Sequence, residues 1–172
     1  MSIRFEASLS NIAAINLIKM PQSASELLPS RGMMMAEGTV NGIPFTAPLE
    51  PDGRGSHWFE ASHAMIKEAG LKAGKPAAFD ITPTIDWPEP EISPDILDAL
   101  RKSNLMPRWD SLTVKARWDW LRWIRATKNL ATRQKRIDVT LSKLQVGDNN
   151  PCCFDRTRCT IPEVSKSGVL ID

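Results

Sequence analysis

Three thiols stand within eight residues in Pro151-Cys152-Cys153-Phe154-Asp155-Arg156-Thr157-Arg158-Cys159. Thiolates are nucleophiles and soft metal ligands, and Arg156 and Arg158 would lower the pKa of a neighbouring thiol and favour redox chemistry. With His57 or His63 the set has the donor types of a tetrahedral zinc site. The spacing favours free thiols instead, because adjacent cysteines rarely both aim at one ion and the third lies too far on for a Cys-x2-Cys knuckle. A metal or thiol-redox role through Cys152, Cys153 and Cys159 stays open as the alternative.

The second group is cationic. Arg117, Arg122, Arg125, Lys128, Arg133, Lys135 and Arg136 flank a break between two helical patterns at Lys128-Asn129. Cations clustered this way neutralise phosphates and release counterions, and Trp120 or Trp123 could stack on a base or a lipid headgroup. Two plainer readings compete: a solvated helix face whose Lys and Arg stems cover indole rings, and a basic module docking on the acidic half of its own chain or of a second copy. Charge is indeed segregated. Residues 1–100 hold seven Lys and Arg against thirteen Asp and Glu, residues 101–147 twelve against three, and the remainder three against four, within a total of only +2. Such blocks point to two modules and to an anionic partner for the second.

Other chemistry is missing. There is no Walker loop, no Gly-x-Gly-x-x-Gly after a strand, no Gly-x-Ser-x-Gly elbow and no His-Glu-x-x-His. Gly53-Arg54-Gly55 is too short for a phosphate cradle and reads as a turn. His57 and His63 have no motif partner and read as structural, while Asp86, Glu89 and Glu91 read as exposed acids. No catalytic residue and no cofactor emerges. A small-ligand pocket at a barrel mouth is a further alternative, without a polar constellation to name its ligand.

The elements that must position these residues come in two styles. Ile3, Phe5, Ala7 and Leu9 alternate with Arg4, Glu6 and Ser8, the period of a half-buried strand. Further strands are expected over 15–20, 33–39, 45–49, 56–61 and 77–82, with a helical turn within 22–30 and a short helix over 62–69. Val40-Asn41-Gly42-Ile43 is a hairpin signal, since Asn-Gly adopts the positive φ angles of a type I′ turn. Pro44 and Pro48 predict an edge or bulged position for the returning strand. Short strands with Gly/Pro turns suggest a small barrel. Pro83, Pro88 and Pro90 among acids make a stiff linker. Beyond it Ser93 is placed to cap a helix with Pro94 at its first position. Thr113 caps a second helix with a stripe of Val114, Trp118, Leu121 and Ile124, and a third runs from Leu130 through Ile137, Leu141 and Leu144 to Gly147. The tail shows no periodicity.

The expected fold is therefore α+β, a small N-terminal β-barrel over 3–82, a linker over 83–91, a helical module over 92–147 and a Cys-containing tail over 148–172. No apolar run approaches the roughly 18 to 20 residues of a membrane span. Without a basic leader or cleavage site the expected compartment is the cytoplasm.

Val40-Asn41-Gly42-Ile43-Pro44-Phe45, then Pro51-x-Gly53-x-Gly55 and Leu71-x-x-Gly74, resemble the small β-barrel domain of unknown function that heads many bacterial proteins. Trp123-Ile124-x-x-Thr127-Lys128, Ala131-Thr132-Arg133-x-x-Arg136-Ile137 and Leu144-x-x-Gly147 resemble the helical domain of the YdeI/OmpD-associated bacteriocin-protection family. The order of the two is the family's order. The resemblance implies a protective phenotype and no catalysed reaction. Together with the charge it predicts a non-enzymatic bacterial binding or stress-protection protein. Lys128, Arg133, Lys135, Arg136, Arg122 and Arg125 would then meet an anionic partner, whether nucleic acid, lipid headgroup or acidic protein, with self-association open.

Overall fold

The computed structural model describes residues 1–152 and 154–172, so Cys153 lies outside the described residues. The chain divides into two compact units, Met1–Asp86 with Asp155–Cys159 and Glu163–Asp172, and Trp87–Phe154 with Thr160–Pro162.

The first unit is a seven-stranded antiparallel sheet. Its strands are β1 (Ile3–Ala7), β2 (Leu9–Ile12), β3 (Ile15–Lys19), β4 (Met34–Val40), β5 (Ile43–Pro51), β6 (His57–Glu60) and β7 (Ala77–Thr84), with helices α1 (Gln22–Ser25) and α2 (His63–Ala69) between them. The spatial order is β1-β7-β4-β5-β6-β3-β2. Its two end strands, β1 and β2, are consecutive in the chain and parted only by Ser8, so the sheet curls into a half-barrel whose ends are two halves of one bent segment. Alternation along β1 puts Ile3 and Phe5 opposite Ile81 and Phe79, and leaves Arg4 and Glu6 exposed. The Phe5 and Phe79 rings stack at 5.0 Å, and Phe45 and Phe59 meet Phe79 edge-on. Around them Ile18, Ala36, Val40, Leu49 and Ile81 fill the concave side.

Asn41 and Gly42 form the hairpin turn at φ of 49° and 82°. The Asn41 side chain also clasps the end of α2 and the start of β7: its amide donates to the Ala69 carbonyl and its oxygen accepts from the Ala78 N–H. Pro44 and Pro48 lie where β5 pairs on one side alone, although β5 as a whole stands between β4 and β6. A two-residue turn makes its flanking residues, Val40 and Ile43, a hydrogen-bonded pair, after which alternate residues bond across the ladder. Pro44 and Pro48 fall on the intervening positions, opposite Thr39 and Met35, with their nitrogens turned away from β4. On that other side β6 pairs only with Glu50 and Pro51, so neither proline breaks a ladder. Exposed edges invite strand addition, and here α1 packs on β1 and Ala73 bridges Leu9 of β2, while α2 packs on the interior strand β5.

The second unit is helical: α3 (Pro94–Lys102), α4 (Met106–Asp110), α5 (Val114–Arg125) and α6 (Leu130–Gln145). Helix α6 packs against the other three, around a core that includes Leu100, Trp109, Trp120, Ile124, Ile137 and Leu144. Thr113 caps α5 by accepting from the Ala116 N–H, and Asn129 caps α6 by accepting from the Thr132 N–H. Ser93 occupies the cap position of α3 but makes no side-chain cap bond; its hydroxyl donates to Asp95 instead. On α5 the buried aromatic is Trp120, at 1% exposure, not Trp118. Trp118 is half-buried, and its indole N–H donates to the Pro88 carbonyl. The short α4 was not expected, and neither was a hairpin in the tail, β8 (Ser165–Lys166) and β9 (Val169–Leu170), which turns at Ser167-Gly168 and belongs to the first unit. Among the described residues no helix is long and apolar enough to cross a membrane.

Candidate functional site

The cations of the helical unit divide into those committed to partners within the unit and those left exposed. Arg117 is buried, donates to both oxygens of Glu89, and closes the corner between α4 and α5 through the Leu112 carbonyl at 2.6 Å and the Asp110 carbonyl at 3.2 Å. Arg122, only 1% exposed, lies 3.9 Å from the Asp119 carboxylate and 5.4 Å from the centre of the Phe154 ring. Arg125 reaches the Thr160 hydroxyl at 3.2 Å. Arg133 grips Asp95 through two bonds of 2.8 and 2.9 Å and donates to Ser93 Oγ at 2.8 Å. This pairing holds the Asp95 carboxyl well below the usual carboxylate range and raises the guanidinium. Arg136 donates to the Trp123 carbonyl at 2.7 Å and stacks on that indole at 5.4 Å. The planar guanidinium fork suits such multi-bonded positions, whereas an ammonium is a hydrated point charge on a flexible stem. The acids that answer these arginines, Glu89, Asp95 and Asp119, belong to the same unit as the arginines.

Two lysines behave differently. Lys128, in the break before α6, and Lys135, on its outer face, are exposed and make no side-chain hydrogen bond, ion pair or ring contact among the described residues. Arg101, at the end of α3, is alike, and the sequence did not single it out, whereas the exposed Lys115 lies over the Trp87 ring. Trp120 is closed to any stacking partner by burial, its N–H donating to the Asn149 carbonyl. Trp123 is half-buried between Arg136 and the Trp120 edge.

The thiols do not converge with histidine. Cys152 is exposed and Cys159 buried, and no group of three metal-ligating side chains occurs among the described residues. The third cysteine of that group, Cys153, lies outside them. His63 is exposed at the start of α2. His57 is 1% exposed, and its Nε2–H donates to the Gly32 carbonyl at 2.8 Å, which leaves Nδ1 to accept from the Ser25 hydroxyl at 2.7 Å. Ser25 in turn accepts from Arg31, which also donates to the carbonyls of Ser25, Leu28 and Gly55. This Ser-His pair has the contacts of an activated hydroxyl, but Ser25 is fully buried and no substrate reaches it. Burial pushes the His57 pKa down. The sequence carried no signal for it, since Ser25 and Gly32 approach His57 only through the fold.

The Gly53-Arg54-Gly55 turn is not a phosphate cradle, because the Asp52 carboxylate accepts from the Arg54 and Ser56 N–H groups. The sheet carries two open grooves of about 440 and 470 Å³, the first beside Phe5, Phe79 and the exposed Arg4–Asp80 pair, the second beside Glu37, Phe45 and Thr46.

Residues 5–81 match a domain of unknown function, DUF1905, and residues 89–147 match the family described as bacteriocin-protection, YdeI or OmpD-associated. No curated protein matches the chain. The curled sheet carrying the Asn41-Gly42 hairpin and the four helices around Trp120 thus coincide with the two matched segments, and the chain joins an N-terminal DUF1905 domain to a C-terminal region of the bacteriocin-protection, YdeI or OmpD-associated family.

Proposed function

We propose that the chain is a non-enzymatic binding protein of the bacteriocin-protection type whose helical unit meets an anionic partner. The observation that carries this reading is the set of exposed cations without internal partners, Lys128, Lys135 and Arg101. Arg133 and Arg136 add the parts of their guanidiniums not engaged by Asp95 and Trp123, while Arg122 and Arg125 hold the helices and act at the surface only indirectly. A surface of two or three free cations binds weakly and by charge, so log K for a single-stranded oligonucleotide should fall against log salt with a slope of about −1.5 to −2.

The test titrates the protein with a single-stranded oligonucleotide, with vesicles rich in an anionic phospholipid and with an acidic polypeptide, each at low and high salt. Binding to one of the three that weakens with salt, and falls at least tenfold in Lys128→Ala/Lys135→Ala, supports the reading. No binding at low salt, or binding indifferent to that double substitution, overturns it. Arg133→Ala/Arg136→Ala is expected to lose less, because those side chains are already committed.

A further inference from the structure

The segment 163–172 lies on the first unit as a bound peptide would. The Leu170 backbone is read on both sides, its N–H donating to the Asp52 carbonyl at 2.8 Å and its carbonyl accepting from Arg54. Its side chain is 2% exposed. Two positions on, one oxygen of the Asp172 carboxylate is shared by Lys19 at 3.5 Å and Arg54 at 3.3 Å. Backbone pairing for affinity, a pocketed apolar side chain and a charge clamp are the parts of strand-like peptide recognition.

The receptor side is braced by bonds of its own. Asp52 caps its own loop through the Arg54 and Ser56 N–H groups at 2.7 and 3.0 Å, and Arg31 ties Gly55 from behind at 2.8 Å. Gly53 is moulded to an approaching main chain: at its φ of +81° an added Cβ would stand 2.2 Å from the Gly168 carbonyl oxygen. The occupant, in contrast, has strands of only two residues; one of its bonds is internal, Ile171 N–H to the Val164 carbonyl, and another, from Cys159 N–H to the Gly168 carbonyl, ties it to the chain just before it. Its ionic contacts are open to solvent, with Asp172 at 82%, Arg54 at 47% and Lys19 at 37% side-chain exposure. The segment is thus held by two buried apolar residues, Val164 and Leu170, by few main-chain bonds and by charges that solvent screens, the contacts of a short bound peptide.

We propose that the surface formed by the Asp52–Arg54 loop and Lys19 is a peptide-recognition site, filled in cis by residues 163–172, that accepts in trans an extended peptide with an apolar residue two positions before a carboxylate. The cis segment acts as a competitor, so the apparent affinity for an outside peptide is set by the fraction of molecules in which the segment has lifted.

The test uses full-length protein and a fluorescent peptide with the sequence of residues 163–172. Leu170→Ala/Asp172→Asn weakens the occupant and leaves the receptor intact, so this variant should bind the peptide at least tenfold more tightly than the parent. Adding Arg54→Ala should remove that gain, and raised salt should reduce it. Equal affinity of parent and variant, or a gain that survives Arg54→Ala, overturns the proposal. Amide exchange in the parent protein is an independent readout that needs no variant. The Leu170 N–H should exchange much faster than those of Phe79 and Ile81 in β7, and equal protection would sink the idea of a lifting segment.

Discussion

Two buried polar sites, one in each unit, are satisfied by different means. The sheet keeps its buried corner neutral at the histidine, passing hydrogen bonds from Arg31 through Ser25 and His57 to the Gly32 carbonyl. The helical unit buries charge, with Arg117 on Glu89 and Arg122 beside Asp119. A neutral network costs little to keep dry, whereas a buried ion pair must recover the desolvation of both partners and is costly to half-remove. The basic block in the sequence is thus in large part a framework of arginine staples, and the cations left over for a partner are mostly lysines.

That contrast can be tested from its most sensitive point downward. Arg122→Ala removes the guanidinium beside the buried Asp119 and should cost about 3–5 kcal/mol, seen as a lower urea midpoint for the helical transition. Ser25→Ala strands His57 Nδ1 and one Arg31 donor, and should cost about 1–3 kcal/mol in the same assay. A double-mutant cycle on Arg133 and Asp95, with side chains 23% and 47% exposed, should return a coupling of at most about 1 kcal/mol, because solvent screens the pair. Lys128→Ala/Lys135→Ala should leave stability within about 0.5 kcal/mol; a larger loss would mean that those lysines are staples too.

Acid separates the two means further. His57 has a folded pKa below its ordinary 6.5, so the unfolded chain takes up a proton first. Its contribution is complete above pH 6.5 and is lost as pH falls through the lowered value. The Asp95 carboxyl, held low chiefly by its hydrogen bonds from Arg133, contributes above its ordinary 3.8 and loses that contribution only below it. Between pH 6.5 and 4 the melting temperature should therefore drop through the sheet's histidine, and His57→Gln should flatten that part of the profile. An unchanged slope in His57→Gln would assign the loss elsewhere.

Local chemistry was legible and long-range pairing was not. Asn41-Gly42, Thr113 and the Leu130-to-Leu144 periodicity announced a hairpin, a cap and a helix because each acts within a few residues. Arg133 and Asp95 lie 38 positions apart, and Arg117 and Glu89 lie 28 apart. Nothing in the sequence distinguishes a stapled arginine from a free one, so all seven cations read as one surface. The tail hairpin was invisible for another reason: two-residue strands are too short to show a period, and only Ser167-Gly168 marked the turn. Pro44 and Pro48 marked the open side of β5 near its hairpin, but not that its far end, Glu50 and Pro51, pairs with β6.

The bent β1–β2 segment also has a consequence for synthesis. Its first half is zipped to β7, Ile3 against Ile81, so the first strand of this sheet to be made waits for nearly the whole sheet to follow. Contacts this distant in sequence close slowly and together. The β1 strand should stay protease-sensitive until Thr84 has cleared the exit tunnel, and then become resistant in a single step.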